Sequence, residues 1–197
     1  MEEETVVSMR EKYANEKTKI PLAEEIISWL RLIGTTLVVV IIINIVVPRT
    51  EVQGSSMYPT LADGDRLIVW QLFYAPNFQD IVVLEHTNGD LHVKRVLGIA
   101  GDVVNYINGE MFVNGELITE PYIASGASHN GFLFENLCQI THDLADCSVI
   151  PVGYFLVLGD NRNNSGDSRG YGLVHESQII GRVMLRFSPF SKFGVIR

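Results

Sequence analysis

The sequence predicts a mostly β fold carried on a single membrane anchor, and three observations lead there. Beyond residue 66 the chain falls into short runs of Val, Ile, Leu and aromatic residues separated by Gly, Asn and Asp, a pattern of strands and turns. Two Asn-Gly pairs, Asn108-Gly109 and Asn114-Gly115, sit where tight hairpins require positive φ. Upstream, residues 26–47 are apolar except for Arg31, Asn44 and a few small polar side chains. As a helix they would run about 33 Å, enough to cross a bilayer.

Taken in order, residues 1–25 are polar and charged, lack a sustained apolar stripe, and read as a cytoplasmic tail. Residues 26–47 follow as the transmembrane helix. A cleaved secretory signal is the competing reading, but the apolar block begins late and the following Val46-Val47-Pro48-Arg49-Thr50-Glu51-Val52 offers no small-residue cleavage site. Arg10, Lys12, Lys17, Lys19 and Arg31 precede the apolar core, whereas Arg49 alone follows it before Arg66. That bias places the N-terminus in the cytoplasm and residues 48–197 outside the cell membrane. Arg31, near the helix edge, can lay its alkyl stem along the helix and its guanidinium among headgroups. Strands are expected at 66–70, 81–85, 91–99, 103–107, 111–113, 154–158 and 179–187, with a β-meander across the Asn-Gly turns. Between 120 and 151 the pattern weakens into Ala, Ser, Gly and His, which reads as a lid inserted on the sheet.

A chain of 197 residues has room for one compact domain plus an anchor. Its 15 basic against 23 acidic residues lack the electropositive footprint that a phosphate backbone demands, which excludes nucleic acid as a partner class. The two cysteines, Cys138 and Cys147, fall in the part expected outside, where a disulfide can persist; reversed orientation would leave two free thiols. Two cysteines without a His at finger spacing do not make a zinc site.

Three segments carry chemistry. Ser56 lies in Gly54-Ser55-Ser56-Met57-Tyr58-Pro59-Thr60, where Gly and Pro constrain the backbone and suit either an ordinary turn or the presentation of a hydroxyl. Lys94 interrupts an otherwise half-buried strand, His92-Val93-Lys94-Arg95-Val96-Leu97-Gly98. It is either an edge-strand guard against aggregation or an amine that desolvation can make a neutral general base. The run from Gly159 to Arg169 is dense in Asp, Asn, Ser and Arg. Calcium fails on its spacing, because starting at Asp160 puts Arg162 on the third ligand position and starting at Asn161 puts Gly172 where a bidentate Glu belongs. An internally paired scaffold explains it better.

The segments Ser56-Met57-Tyr58-Pro59-Thr60, Gly64-Asp65-Arg66, Lys94-Arg95-Val96-Leu97-Gly98 and Gly159 to Arg169 occur in the order shown by bacterial type I signal peptidases, and the chain resembles the single-anchor form of that family over roughly residues 54–186. The resemblance implies a serine endopeptidase with a Ser/Lys dyad on a β-rich ectodomain, cutting signal peptides from secreted preproteins beside membrane lipid and the secretion translocon. It makes Ser56 the nucleophile and Lys94 the general base, with Ser165 orienting the lysine. Asp167 and Arg169 match structural ion-pairing residues, and Asp160 is expected to partner Arg95. No metal or organic cofactor is implied. Gly54 departs from the pattern, since many relatives carry a Ser there whose hydroxyl helps bind the oxyanion. Alternation along an extended chain would turn Ser55 away, leaving the Ser56 N–H as the main expected donor.

Independently of the family, a neutral lysine can take the serine proton during attack and return it to the leaving amine. The rival hydrolase reading would use His86, His92, His129, His142 or His175 as base, but no Gly-x-Ser-x-Gly elbow accompanies them. A self-cleaving repressor of the Ser/Lys class would need a DNA-reading helix pair in place of the tail and span. A tethered β-module that binds peptides by strand addition is the non-enzymatic alternative.

Overall fold

The computed structural model describes residues 21–123, 131–141, 144 and 147–196. Most of the expected tail, part of the expected lid, His129 and His142 lie outside the described residues. The chain divides between Ile45 and Val46 into two compact units.

The first unit contributes helix α1 (Leu22–Val46), which is 25 residues long. It begins ahead of the apolar block because Pro21 O accepts the N–H groups of Glu24 and Glu25, two carboxylates in the first turn where the helix dipole favours them. Pro48 biases the residue before it away from helical geometry, and the helix stops. Two of its polar side chains bond back to the helix's own carbonyls: Thr35 Oγ1 donates to Arg31 O at 2.9 Å and Asn44 Nδ2 to Val40 O at 2.8 Å. With a mean hydropathy of 2.4 and no residue buried within the protein, α1 is long and apolar enough to cross a membrane.

The second unit is built on β1 (Arg49–Glu51), β2 (Arg66–Trp70), β3 (Ile81–Glu85), β4 (Leu91–Gly98), β5 (Val104–Ile107), β6 (Glu110–Val113) and β7 (Glu116–Ile118). There follow α2 (Phe134–Ile140), β8 (Tyr154–Leu158), α3 (Ser168–Tyr171), β9 (Val174–His175), β10 (Ile179–Ser188) and β11 (Gly194–Val195). The main sheet runs β1-β2-β10-β3-β4-β8-β9, with β11 added beside β10, and every pairing is antiparallel. Side-chain alternation sends β3 to both faces at once. Ile81 and Val83 join Leu67, Val69, Val183, Met57 and Leu61 in one cluster, while Val82 and Leu84 join Val96, Val157 and Val174 in another.

The small sheet β5-β6-β7 is the expected meander, extended by one three-residue strand too short to show a period. Asn108 and Gly109 have φ of 53° and 84°, and Asn114 and Gly115 have 55° and 85°, the left-handed values these turns need. Several of the described residues between 120 and 151 are built into the core. Phe132 exchanges backbone hydrogen bonds with Tyr106 at 2.8 and 3.0 Å, and Phe134, Leu137 and Cys138 of α2 pack with Leu97, Met111 and Leu156. The spacing of those three α2 residues is that of one helical face. Cys138 and Cys147 are joined by a disulfide with Cα atoms 5.9 Å apart.

Candidate active site

The loop between β1 and β2 presents Ser56. It turns sharply at Gly54, whose φ of 81° is left-handed and whose N–H donates to Asp63 Oδ1 at 2.7 Å. Met57 and Leu61, buried to 1% and 0% exposure, pin the following turn into the core beneath. Behind them, Arg186 of β10 donates to Asp65 Oδ2 at 2.9 Å and to Thr60 O at 3.2 Å, so the loop is tied to a strand more than a hundred residues away. Arg186 did not stand out in the sequence as part of this framework, because an isolated Arg on a strand reads as an ordinary exposed residue, and Thr60 carried no role beyond its place in the Ser56 segment.

Lys94 projects from β4 opposite Val82 and is 3% exposed. Its Nζ donates to Ser56 Oγ at 2.9 Å. Burial drives the lysine down to about 8; the carboxylates of Asp167 and Asp160 work against that fall and the Arg169 guanidinium adds to it. An amine in that range supplies a substantial neutral fraction near neutral pH, which an exposed lysine cannot.

Two buried ion pairs frame the dyad. Arg95 meets Asp160 in a fork, Nε to Oδ1 at 2.9 Å and Nη2 to Oδ2 at 2.7 Å, and Tyr122 lies over the guanidinium with its ring centroid 4.0 Å away. Thr60 Oγ1 donates to the same Asp160 carboxylate. Asp167 is clasped by Arg169 through two bonds of 2.8 Å and accepts the Gly159 N–H at 3.0 Å. Burial pushes the Asp167 carboxyl up, but the Arg169 guanidinium and the backbone donor outweigh it and hold the group below its usual range. A third pair was not expected from the sequence: Arg162 binds Glu120 and also donates to Gly159 O at 3.1 Å. Glu120 lies at the boundary of the expected lid, where nothing in the local pattern marks it as a partner of the Gly159–Arg169 run.

Ser165 is placed differently from expectation. Its Oγ is buried but makes no hydrogen bond to Lys94; it packs against Gly159 and stands close enough to Asp167 to help hold that carboxyl down. Ser55 differs too. The chain bends at residues 54–55 and turns from Ser56, so strand alternation does not apply, and Ser55 lines the same cleft as Ser56. That cleft, of about 360 Å³, is bounded by Gln53, Gly54, Leu91, His92, Lys94 and Asn164 among others. Of the described histidines, none hydrogen-bonds Ser56; His92 only borders the cleft, stacked on His86 with ring centroids 5.3 Å apart. No group of three His, Cys, Asp or Glu side chains among the described residues is arranged to hold a metal.

β8 pairs with β4 only from Arg95 onward, so among the described residues the segment 91–94 has a strand on its β3 side and an unpaired edge on the other. A lowered lysine in contact with a serine hydroxyl, beside an open strand edge, is an arrangement suited to peptide hydrolysis without histidine or metal.

This is the class of site found in serine hydrolases of the Ser/Lys kind. The chain belongs to the family described as signal peptidase, peptidase S26, whose model matches residues 26–188. It is 40% identical over 182 residues to signal peptidase IB of Staphylococcus aureus, covering 87% of this chain and 94% of that one. It is 42% identical over 144 residues to signal peptidase I of Bacillus amyloliquefaciens, covering 71% of this chain and 72% of that protein. A solved signal peptidase I from Enterococcus faecalis is 29% identical with a TM-score of 0.48, over 55% of this chain and 97% of that one.

Proposed function

We propose that this protein is a membrane-anchored signal peptidase that removes signal peptides from secreted preproteins, with Ser56 as nucleophile and Lys94 as general base. The observation that carries the reading is the 2.9 Å contact between Lys94 Nζ and Ser56 Oγ at a lysine lowered to about 8. Neutral Lys94 accepts the Ser56 proton as Oγ attacks the scissile carbonyl carbon. The tetrahedral intermediate collapses with cleavage of the C–N bond, and the protonated amine returns that proton to the leaving nitrogen. Lys94, neutral again, then draws a proton from the water that attacks the acyl carbon and gives it to Ser56 Oγ as the acyl C–Oγ bond breaks. Among the described residues the Ser56 N–H has no hydrogen-bond acceptor, which leaves it available to the developing oxyanion. The substrate enters as an extended segment along the open edge of residues 91–94, a reading supported by the lack of a strand partner on that side among the described residues.

The charge bias around the apolar helix supports a cytoplasmic tail of residues 1–25, a span over α1 and an extracytoplasmic catalytic domain from about residue 48, beside membrane lipid and the translocon that delivers preproteins. The test uses purified full-length protein in detergent, free of host enzyme, with a preprotein substrate and N-terminal sequencing of the product. Ser56→Ala and Lys94→Ala each abolish processing, and the double variant is no worse than either single one. Normal processing by Lys94→Ala would falsify the assigned base.

A further inference from the structure

Catalysis of acyl transfer generally requires more than one donor to the oxyanion, and Gly54 has no side chain to give. The site nevertheless holds a second hydroxyl. Because the backbone bends at residues 54–55, Ser55 lines the cleft together with Ser56, Lys94 and Asn164. Asn164 Nδ2 donates to Ser55 Oγ at 2.9 Å, which occupies a lone pair of that oxygen and leaves its proton to point elsewhere. Among the described residues this proton has no acceptor. A hydroxyl that accepts from an amide is polarised to donate more strongly in turn.

The backbone around it is held from the same side. Asn161 Nδ2 donates to Ser55 O at 3.0 Å, the Tyr58 N–H to the same oxygen at 3.1 Å, and the Asn161 N–H to Ser56 O at 2.9 Å. Both carbonyls flanking the Ser56 Cα are therefore spoken for, while the Ser56 N–H and the Ser55 O–H remain unspent within one residue of each other. Resting on the Ser56–Lys94 reading, we infer that the Ser55 hydroxyl, held by the Asn164 amide, is the second hydrogen-bond donor to the tetrahedral oxyanion. Ser55 is then a catalytic residue and Asn164 a positioning residue that acts through it. The hydroxyl that position 54 lacks is supplied one residue later, with its orientation fixed by the loop that also carries Asp160 and Asp167.

The experiment measures kcat and KM separately on purified full-length protein with a signal-peptide substrate. Ser55→Ala lowers kcat by ~10- to 100-fold with KM little changed, because the bond forms only as the oxyanion develops. Ser55→Thr, which keeps the hydroxyl, stays within about fivefold of the parent in kcat, as retention of that donor requires. Asn164→Ala gives an intermediate loss that adds nothing when combined with Ser55→Ala, since the two act as one unit. Affinity for a substrate-like peptide aldehyde, whose adduct with serine carries the oxyanion, falls in parallel with kcat/KM. The inference is overturned if Ser55→Ala keeps full kcat, if its loss lies in KM alone, or if Ser55→Thr is as impaired as Ser55→Ala. Ser56→Ala is assayed alongside: activity in that variant sinks the dyad itself, whereas inactive Ser56→Ala with fully active Ser55→Ala sinks only the role of Ser55.

Discussion

Arg95 and Asp160 hold each other through two parallel hydrogen bonds of 2.9 and 2.7 Å with both side chains almost wholly out of solvent. The pair ties β4, at the residue next to Lys94, to the second residue of the Asp- and Asn-rich loop Gly159 to Arg169, and Thr60 joins the nucleophile loop to the same carboxylate. Breaking it leaves an unpaired buried charge, which costs far more than an exposed pair returns. Arg95→Ala or Asp160→Asn should each lower stability by about 3 to 5 kcal/mol, read from denaturant unfolding in the same detergent, and should lose processing as well. Wild-type melting in Asp160→Asn would mean that the fork does not hold these three segments together.

The buried amine makes stability and activity move with pH in a stated direction. Lys94 is lowered from 10.5 to about 8 in the folded protein. Between those values the unfolded chain binds the additional proton, so stability rises with pH through that window; below it the fold carries the full cost of a buried ammonium. Lys94→Met is therefore inactive yet melts higher than the parent at about pH 6, and its advantage shrinks as the pH passes 8. In the parent, kcat/KM rises about tenfold per pH unit below this range and levels off above it. A rate that stays flat between about pH 6 and pH 9 removes Lys94 as the titrating base.

Two glycines beside the nucleophile are required for different reasons. At Gly54 nothing lies within 4 Å of where a Cβ would stand, so the obstacle to substitution is the φ of 81° itself. Gly54→Ala and Gly54→Ser should lose activity to a similar extent, the new hydroxyl giving no relief, while Gly54→Asn loses less because Asn tolerates left-handed geometry. At Gly159 the backbone is unremarkable, but a Cβ would lie 2.5 Å from Ser56 O and collide with Ser165 Oγ. Gly159→Ala should displace the nucleophile and cut kcat/KM by more than ~100-fold. Equal kcat/KM in Gly159→Ala and parent would show that this close approach is dispensable.

The disulfide has a local effect. It joins two cysteines nine positions apart and carries Cys138, which is 2% exposed in the core with Phe134 and Leu137. Replacing both cysteines by serine should cost about 2 to 3 kcal/mol by denaturant unfolding, with kcat changed by less than about threefold. Native mass analysis should show two protons fewer than the reduced chain, and a pair of alkylatable thiols in the native protein would refute the bridge.

Much of the framework was legible because it depends on local properties. The length and apolarity of helix α1, the period of the longer strands and the positive φ demanded by Asn108-Gly109 and Asn114-Gly115 are all set by neighbours a few residues apart. Short elements such as β1, β7 and β9, three residues or fewer, carry no period, and their pairing depends on strands elsewhere. The core role of Phe132 and Phe134 was hidden in a stretch of mixed composition, since it arises from docking against Tyr106 and its neighbours. The site shows the division most clearly. The family motifs drew attention to Ser56 and Lys94, but their separation of 2.9 Å across 38 residues is a product of register and loop geometry. Glu120 meeting Arg162, Arg186 reaching Thr60 and Asn164 holding Ser55 across 109 residues leave no trace in local pattern. Ser165 makes the same point from the other side: its hydroxyl lies against Gly159 without bonding Lys94, because the packing around a side chain decides where its last rotatable bond can point.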